Sequence, residues 1–376
     1  MNILGICNTY FQLIAMIQLR LTLLKSDNVD LLLSDHSRDA KSVVERLSKT
    51  DCFSHIKLLN SKDLIYGHHN KFRKIKEVYE AVTGNSDLCR ILPSSIVYDE
   101  MIFYNTEISI ATIFAYLIKK NSILKCSRLE EGLLSYHMID ILRSDNIPTG
   151  RLKLAYLIRK MLTWKNMNDS TEILYCFYPD QYKGSLETIA IPCFPINDLK
   201  LQNYLISAFG IDKDNLSYPQ KYIYFASVGD LEGGKPIGEV KLAKSIAEIV
   251  GYEHVLVKVH PRDTSGLFEK AGLTVDKSST VPWEVIQLNY DFRNHVFLTA
   301  TSGSVLSVNL LLEEGPQTWF LFQMCDLKEN TAAYKSAESI RNLLETEVEA
   351  SENIQMRFHI AKSLKDIFCE TIVIGD

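Results

Sequence analysis

Short apolar runs alternate along this chain with longer stretches in which apolar residues recur every third or fourth position. The first kind reads as a buried strand, the second as a helix with one face on a core. Residues 3–6 form the first such strand. Asn8-Thr9 can cap a helix over 10–24, where Phe11, Leu13, Ile14, Met16, Ile17 and Leu19 have helical spacing. Strands are then predicted at 30–33, 56–59, 96–103 and 123–129, with helices at 41–47, 71–82 and 108–117. After the proline-containing stretch 191–195 the alternation resumes. Strands are predicted at 222–226, 254–259, 294–298 and 318–322, and helices at 239–249, 281–288, 304–312, 336–345 and 351–368. Such β-α-β-α order is the signature of a parallel α/β sheet covered by helices. Two α/β halves predict two Rossmann-like domains, 1–195 and 196–376, facing a central cleft.

Residues 151–164 stand apart. Leu152, Leu154, Ala155, Leu157, Ile158, Met161 and Leu162 lie among Arg151, Lys153, Arg159, Lys160 and Lys165, which makes a basic amphipathic helix. Three uses fit: a core helix with a solvated basic face, contact with an anionic membrane surface, or packing against a second subunit in a homodimer.

Composition narrows the class. The chain has 376 residues, is 46% hydrophobic and 23% charged, and carries a net charge of −5. That suits a globular protein with two cores and argues against nucleic acid as a partner. The eight cysteines form no CxxC pair and no zinc-finger spacing with histidines, so they read as small buried hydrophobes in a reducing compartment. No basic leader and no long apolar span is seen, and a cytoplasmic location, peripheral to the inner face of the membrane, is the expectation.

Four places can carry chemistry, each at the carboxyl end of a predicted strand, where open α/β sheets bind ligands. His260 ends the run Val255-Leu256-Val257-Lys258-Val259, because Pro261 cannot extend a ladder. Ser302-Gly303-Ser304 follows Val296-Phe297-Leu298 and precedes a predicted helix, a setting that offers hydroxyls and backbone donors to an anion. Glu130-Glu131-Gly132 follows a strand in the first half and can hold a carboxylate as a general base. Asp230, after Ala226-Ser227-Val228-Gly229, is a candidate of the same type. Each also has a plain structural reading, as a strand-end histidine, an N-cap serine or a solvated acidic turn. No GxGxxG follows the first strand, and GxxxxGK[ST], GxSxG and HExxH are absent. The ligand these residues suit is anionic and held without a metal.

In this order the acidic-acidic-Gly, His-Pro and Ser-rich motifs resemble those of the bacterial sialyltransferases of glycosyltransferase family 52, which act on lipooligosaccharide and capsule. Cys7-Asn8-Thr9-Tyr10-Phe11-Gln12-Leu13 and Val281-Pro282-Trp283-Glu284 are similar to further segments of that family. The resemblance implies a GT-B type fold and inverting, metal-independent transfer of sialic acid, without a cofactor, from CMP-sialic acid to a galactose-terminated, lipid-linked glycan, with α-2,3 linkage. It makes His260 the general acid or phosphate-stabilising residue and Ser302, Gly303 and Ser304 the phosphate cradle. Asp230 becomes the base, with Glu130 as its rival. Asn8, Gly229, Pro261, Trp283 and Glu284 fall among the donor-binding positions. This chain has Glu-Glu where aspartates are common. Another nucleotide sugar on the same scaffold, or an inert nucleotide- or sugar-binding protein, are the alternatives.

Overall fold

The computed structural model describes residues 1–376 apart from 38, 68, 133–149, 183, 195–197, 228–236, 261–262, 264, 277–280, 307, 313, 330, 349–355 and 372–376. The chain forms two compact units. One comprises Met1–Cys193 with Asp198–Ile211, the other Phe194–Asn197 with Asp212–Asp376.

The first unit is built on seven strands, β1 (Asn2–Cys7), β2 (Asn28–Ser34), β3 (His55–Leu59), β4 (Glu100–Phe103), β5 (Lys125–Leu129), β6 (Thr171–Cys176) and β7 (Glu187–Ala190). All pair in parallel, in the order β3-β2-β1-β4-β5-β6-β7. The chain works outward from β1 to β3, then returns to the other side of β1 with β4. That reversal opens a crevice at the carboxyl ends of β1 and β4. Helices α1 (Tyr10–Leu21), α2 (Ala40–Leu47), α3 (Lys62–Tyr66), α4 (Lys71–Thr83), α5 (Ile108–Lys120), α6 (Gly150–Met161) and α7 (Leu199–Phe209) cover the sheet. Leu4, Ile6, Met101 and Phe103 from the strands bury themselves against Ile110, Ile113, Phe114 and Leu117 of α5. Helix α1 starts as its sequence suggests: the Thr9 side chain accepts from the Gln12 backbone, and the Gln12 side chain answers at the cap. Helix α4 ends at Gly84, in the left-handed region at φ +68, where a Cβ would lie 2.2 Å from the backbone nitrogen of Tyr116. Only glycine lets α4 approach α5 this closely.

The second unit has six strands, β8 (Tyr222–Phe225), β9 (Val255–Lys258), β10 (Thr274–Val275), β11 (Val296–Thr299), β12 (Gln317–Phe320) and β13 (Phe358–Ile360), all parallel, in the order β10-β9-β8-β11-β12-β13. This is the doubly wound order again, with its reversal between β8 and β11. Helices α8 (Glu239–Val250), α9 (Leu267–Lys270), α10 (Trp283–Asn289), α11 (Ala332–Val348) and α12 (Leu364–Thr371) accompany it. Tyr224, Val257, Leu298 and Trp319 join Ala243, Ile246 and Ala247 of α8 in its core. Two Rossmann-like units in succession are the make-up of the GT-B type.

Three expectations are corrected. The helix at 304–312 is instead a pair of 3₁₀ turns, Gly303–Val305 and Asn309–Leu311. The buried Arg357 donates to the carbonyls of Asn309 (3.1 Å) and Leu312 (3.0 Å), occupying acceptors that a continued helix would use. The closing helix at 351–368 gives way to the three-residue edge strand β13, with α12 beginning only at Leu364. The strand expected at 96–103 is confined to Glu100–Phe103. Strands β6 and β7 and helix α7 were not foreseen. Helix α7 lies beyond residue 195 in sequence yet packs on the first unit. There Arg46 Nε donates to the Ala208 carbonyl at 2.8 Å, the Tyr204 hydroxyl donates to Asp51 at 2.7 Å, and the Tyr10 and Phe209 rings meet edge to face at 4.8 Å.

Candidate functional site

Four adjacent strands deliver polar side chains to the carboxyl edge of the first sheet. Asn8 follows β1, His36 follows β2, Asn105 and Glu107 follow β4, and Glu130 and Glu131 follow β5. Glu107 is the hub. Asn8 Nδ2 donates to both its oxygens at 3.1 Å, Asn105 Nδ2 to Oε1 at 3.1 Å and Ser109 Oγ to Oε2 at 3.5 Å, while His36 Nδ1 lies 3.8 Å away. Burial still lifts this carboxyl above its ordinary range, against those hydrogen bonds. Asn8 Oδ1 is buried without a hydrogen-bond partner among the described residues, an acceptor left over in the crevice.

The acidic pair after β5 divides. Glu130 is buried, and its Oε2 accepts the Phe177 backbone N–H at 2.7 Å. That bond ties the end of β5 to the chain leaving β6. Glu131 is the carboxyl with the shifted proton affinity. Burial first, then the negative charge of Glu107, push it up to about 7, opposed by a hydrogen bond from Gln12. Gln12 is itself held, because its Oε1 accepts the Asn8 N–H at 2.6 Å. Gly132, at φ +96, turns the chain immediately afterwards. A carboxyl of this kind can take a proton from a hydroxyl at neutral pH. Beneath the site Arg128 is fully buried. It donates to the Tyr104 carbonyl, to Thr106 Oγ1 at 3.0 Å and to Asn168 Oδ1 at 3.2 Å, and so holds the segment that carries Asn105 and Glu107. Burial lowers its pKa to about 10.

In the second unit the reversal point lies between Ser227, after β8, and Ser302-Gly303-Ser304, after β11. Thr299 Oγ1 donates to the Phe225 carbonyl at 2.8 Å and accepts the Ser302 N–H at 2.9 Å. One backbone donor expected to face a ligand is therefore engaged within the protein. The Ser302 and Ser304 hydroxyls pair at 2.8 Å, and a Cβ on Gly303 would meet nothing within 4 Å. The position over Gly303, between the two serines in sequence, is thus open. Glu239, the buried first residue of α8, accepts Ser227 Oγ at 2.7 Å and fixes the end of β8. At the end of β9, Lys258 is buried with its Nζ 3.2 Å from Asp276. His260, two residues on, is partly exposed. Glu284 is held above the ordinary carboxylate range by the protein packed round it, with its own backbone N–H and the charge of Lys258 pulling the other way.

Of the residues singled out by sequence, Asn8 and Glu130 stand at the carboxyl edge of the first sheet, and His260, Ser302, Gly303 and Ser304 at that of the second. Trp283 is buried among Tyr218, Phe225, Phe292 and Phe297, so its ring supports the second unit from within. Asp230, Gly229 and Pro261 lie outside the described residues. Sequence reasoning missed Glu107, His36 and Asn105. All three follow strand ends, and that was the available signal. Among the described residues no group of three or more His, Cys, Asp or Glu is placed to hold a metal ion.

No protein-family profile matches this chain, and no curated protein does. Solved structures are similar to it at the level of fold. A putative UDP-N-acetylglucosamine 2-epimerase from Listeria monocytogenes is 13% identical over 85% of this chain and 78% of its own, with a TM-score of 0.47. The UDP complex of S. aureus MnaA is 12% identical over 95% and 90%, with a TM-score of 0.46. The calicheamicin glycosyltransferase CalG4 is 10% identical over 91% and 83%, with a TM-score of 0.48. These findings correct the resemblance to family 52 sialyltransferases: no family profile matches, and none of the three structures named above is a CMP-sialic acid enzyme. The motifs behind it are short, and any parallel α/β unit gathers such residues at its strand ends. The CMP-sialic acid donor, the galactose-terminated acceptor and the α-2,3 linkage fall with the resemblance.

Proposed function

We propose that this chain is a glycosyltransferase that draws its sugar from a nucleotide-sugar donor. The observation that carries the reading is Glu131, a carboxyl after β5 raised to about 7 beside Glu107 and Gln12, next to the crevice that the reversal between β1 and β4 opens. Glu131 takes the proton of the acceptor hydroxyl as its oxygen bonds to the anomeric carbon. The nucleotide leaves with the electron pair of the broken bond. In the second unit, taken by itself, the Ser302 and Ser304 hydroxyls, beside the open position over Gly303, suit a nucleotide phosphate. The activity itself rests on this chemistry, since the likeness to solved structures concerns the fold alone.

The test is nucleotide release from UDP-, thymidine diphosphate- and GDP-sugars with a set of sugar and lipid-linked acceptors, for the wild type beside Glu131→Gln and the double variant Ser302→Ala, Ser304→Ala. One donor class should support acceptor-dependent release. Glu131→Gln should lower kcat by about 10²–10⁴-fold with little change in the donor KM. The serine variant should raise the donor KM. Undiminished turnover in Glu131→Gln would remove the base, and tight nucleotide binding with no turnover would make this a binding protein.

A further inference from the structure

Two neighbouring helices of the first unit carry apolar side chains outward. On α4, Phe72, Ile75 and Tyr79 share one face and are 85, 67 and 54% exposed. On α6, Leu154, Leu157 and Met161 repeat that spacing at 50, 45 and 82%. Other residues of the two helices are buried together, Val78, Ala81 and Val82 against Leu152, Ala155 and Tyr156. Each helix is therefore amphipathic toward its core and carries a second apolar strip outside it. Single exposed apolar residues are ordinary, but two such strips on packed helices mark an interaction surface.

The charges beside the strips indicate what covers them. Lys71, Lys74, Lys76, Lys153 and Lys160 are exposed on these helices, and Lys165 follows α6. Their only carboxylates are Glu77, buried and bonded to Arg151, and Glu80, which pairs with Lys76. A chain of net charge −5 thus concentrates positive charge here. Trp164 and Leu162, both exposed, continue the apolar surface just past α6.

We propose that this face docks on the surface of an anionic lipid bilayer. The apolar strips enter the boundary between headgroups and acyl chains, and the lysines lie against the anionic headgroups. No described helix is long and apolar enough to cross a membrane, so the contact is peripheral. A second copy of the chain fits poorly, because it would set these lysines against one another with no free carboxylate on either helix to answer them. The inference goes beyond the proposed activity and does not depend on it.

The test is co-sedimentation of the full chain with phosphatidylcholine vesicles and with vesicles holding about a third phosphatidylglycerol. The wild type should pellet with the anionic vesicles at low salt and be released at high salt. Lys153→Ala with Lys160→Ala should lower the partition coefficient by about 25-fold, about fivefold for each charge. Phe72→Ser with Leu157→Ser should weaken binding at both salt concentrations. These sites are exposed, so the variants should keep the wild-type melting temperature. Wild type that stays in the supernatant, or variants that pellet like wild type, would overturn the proposal. So would a lipid-free dimer that the same substitutions dissolve.

Discussion

Glu131 and Glu107 share one crevice and one electrostatic problem. Neither is ionised freely, because burial disfavours the anion of each and the charge of Glu107 further disfavours that of Glu131. The stability consequence follows from proton counting. Below about 4.5 the residue is protonated in both native and unfolded chains. From there to about 7 the unfolded chain releases a proton that the native chain retains, so stability falls as pH rises. Across this window the loss is about 3 kcal/mol. Glu131→Gln should accordingly stabilise the protein by about 1–3 kcal/mol at pH 8 and hardly at all at pH 4. Urea midpoints at the two pH values would show it, and a variant no more stable at pH 8 would mean the carboxyl is not raised. Glu107→Gln removes the second cause of the shift. The acid limb of kcat/KM, expected near pH 7 in the wild type, should move to lower pH in that variant.

Elements hold these residues in place through a few buried contacts. Among the described residues Arg128 pairs with no carboxylate, and its guanidinium sits 4.3 Å from the Phe103 ring while bonding the segment after β4. It serves as a positioning residue. Arg128→Met should cost about 2–4 kcal/mol, because buried acceptors lose their donor. It should also lower kcat more than it raises KM, since Asn105 and Glu107 ride on the segment it holds. A variant that is destabilised but keeps full kcat when folded would reduce Arg128 to a packing role. The buried thiols are a contrast: Cys7, Cys52, Cys89, Cys126 and Cys176 are all buried, and burial is the first cause that pushes their pKa values up, with nearby carboxylates adding to it at all but Cys7.

At the scale of the molecule, the chain leaves the first unit and returns to it. Helix α7 closes that unit over Tyr10, Arg46 and Asp51 after the chain has passed residues 194–197. A first unit cut after residue 211 should therefore melt cooperatively, whereas one cut after 195 should lose several degrees or aggregate, because the surface that α7 covers is exposed to water. Equal melting of the two pieces, followed by calorimetry, would show that α7 contributes nothing to the unit.

Local signals account for what could be read in advance. The apolar run that became β1 and the Thr9–Gln12 cap depend on residues within one turn or one strand of each other, and both stand where expected. So does the alternation of strand and helix, because each element must bury one face on its neighbours. Strands β10 and β13, of two and three residues, are too short to show a period. Val305, Leu306, Val308, Asn309 and Leu311 are all buried, so contacts rather than a one-sided stripe chose the shape of this segment. The site lay furthest out of reach. Adjacent residues leaving a strand can face opposite ways, and no sequence pattern says that Glu130 turns inward to Phe177 while Glu131 feels Glu107. Asn8 and Glu107 are 99 residues apart in the chain, and they meet because β1 and β4 are neighbours in the sheet. A shifted pKa comes from burial and from charges on other strands. Those are properties of strand order, and strand order is settled only when the whole sheet has assembled.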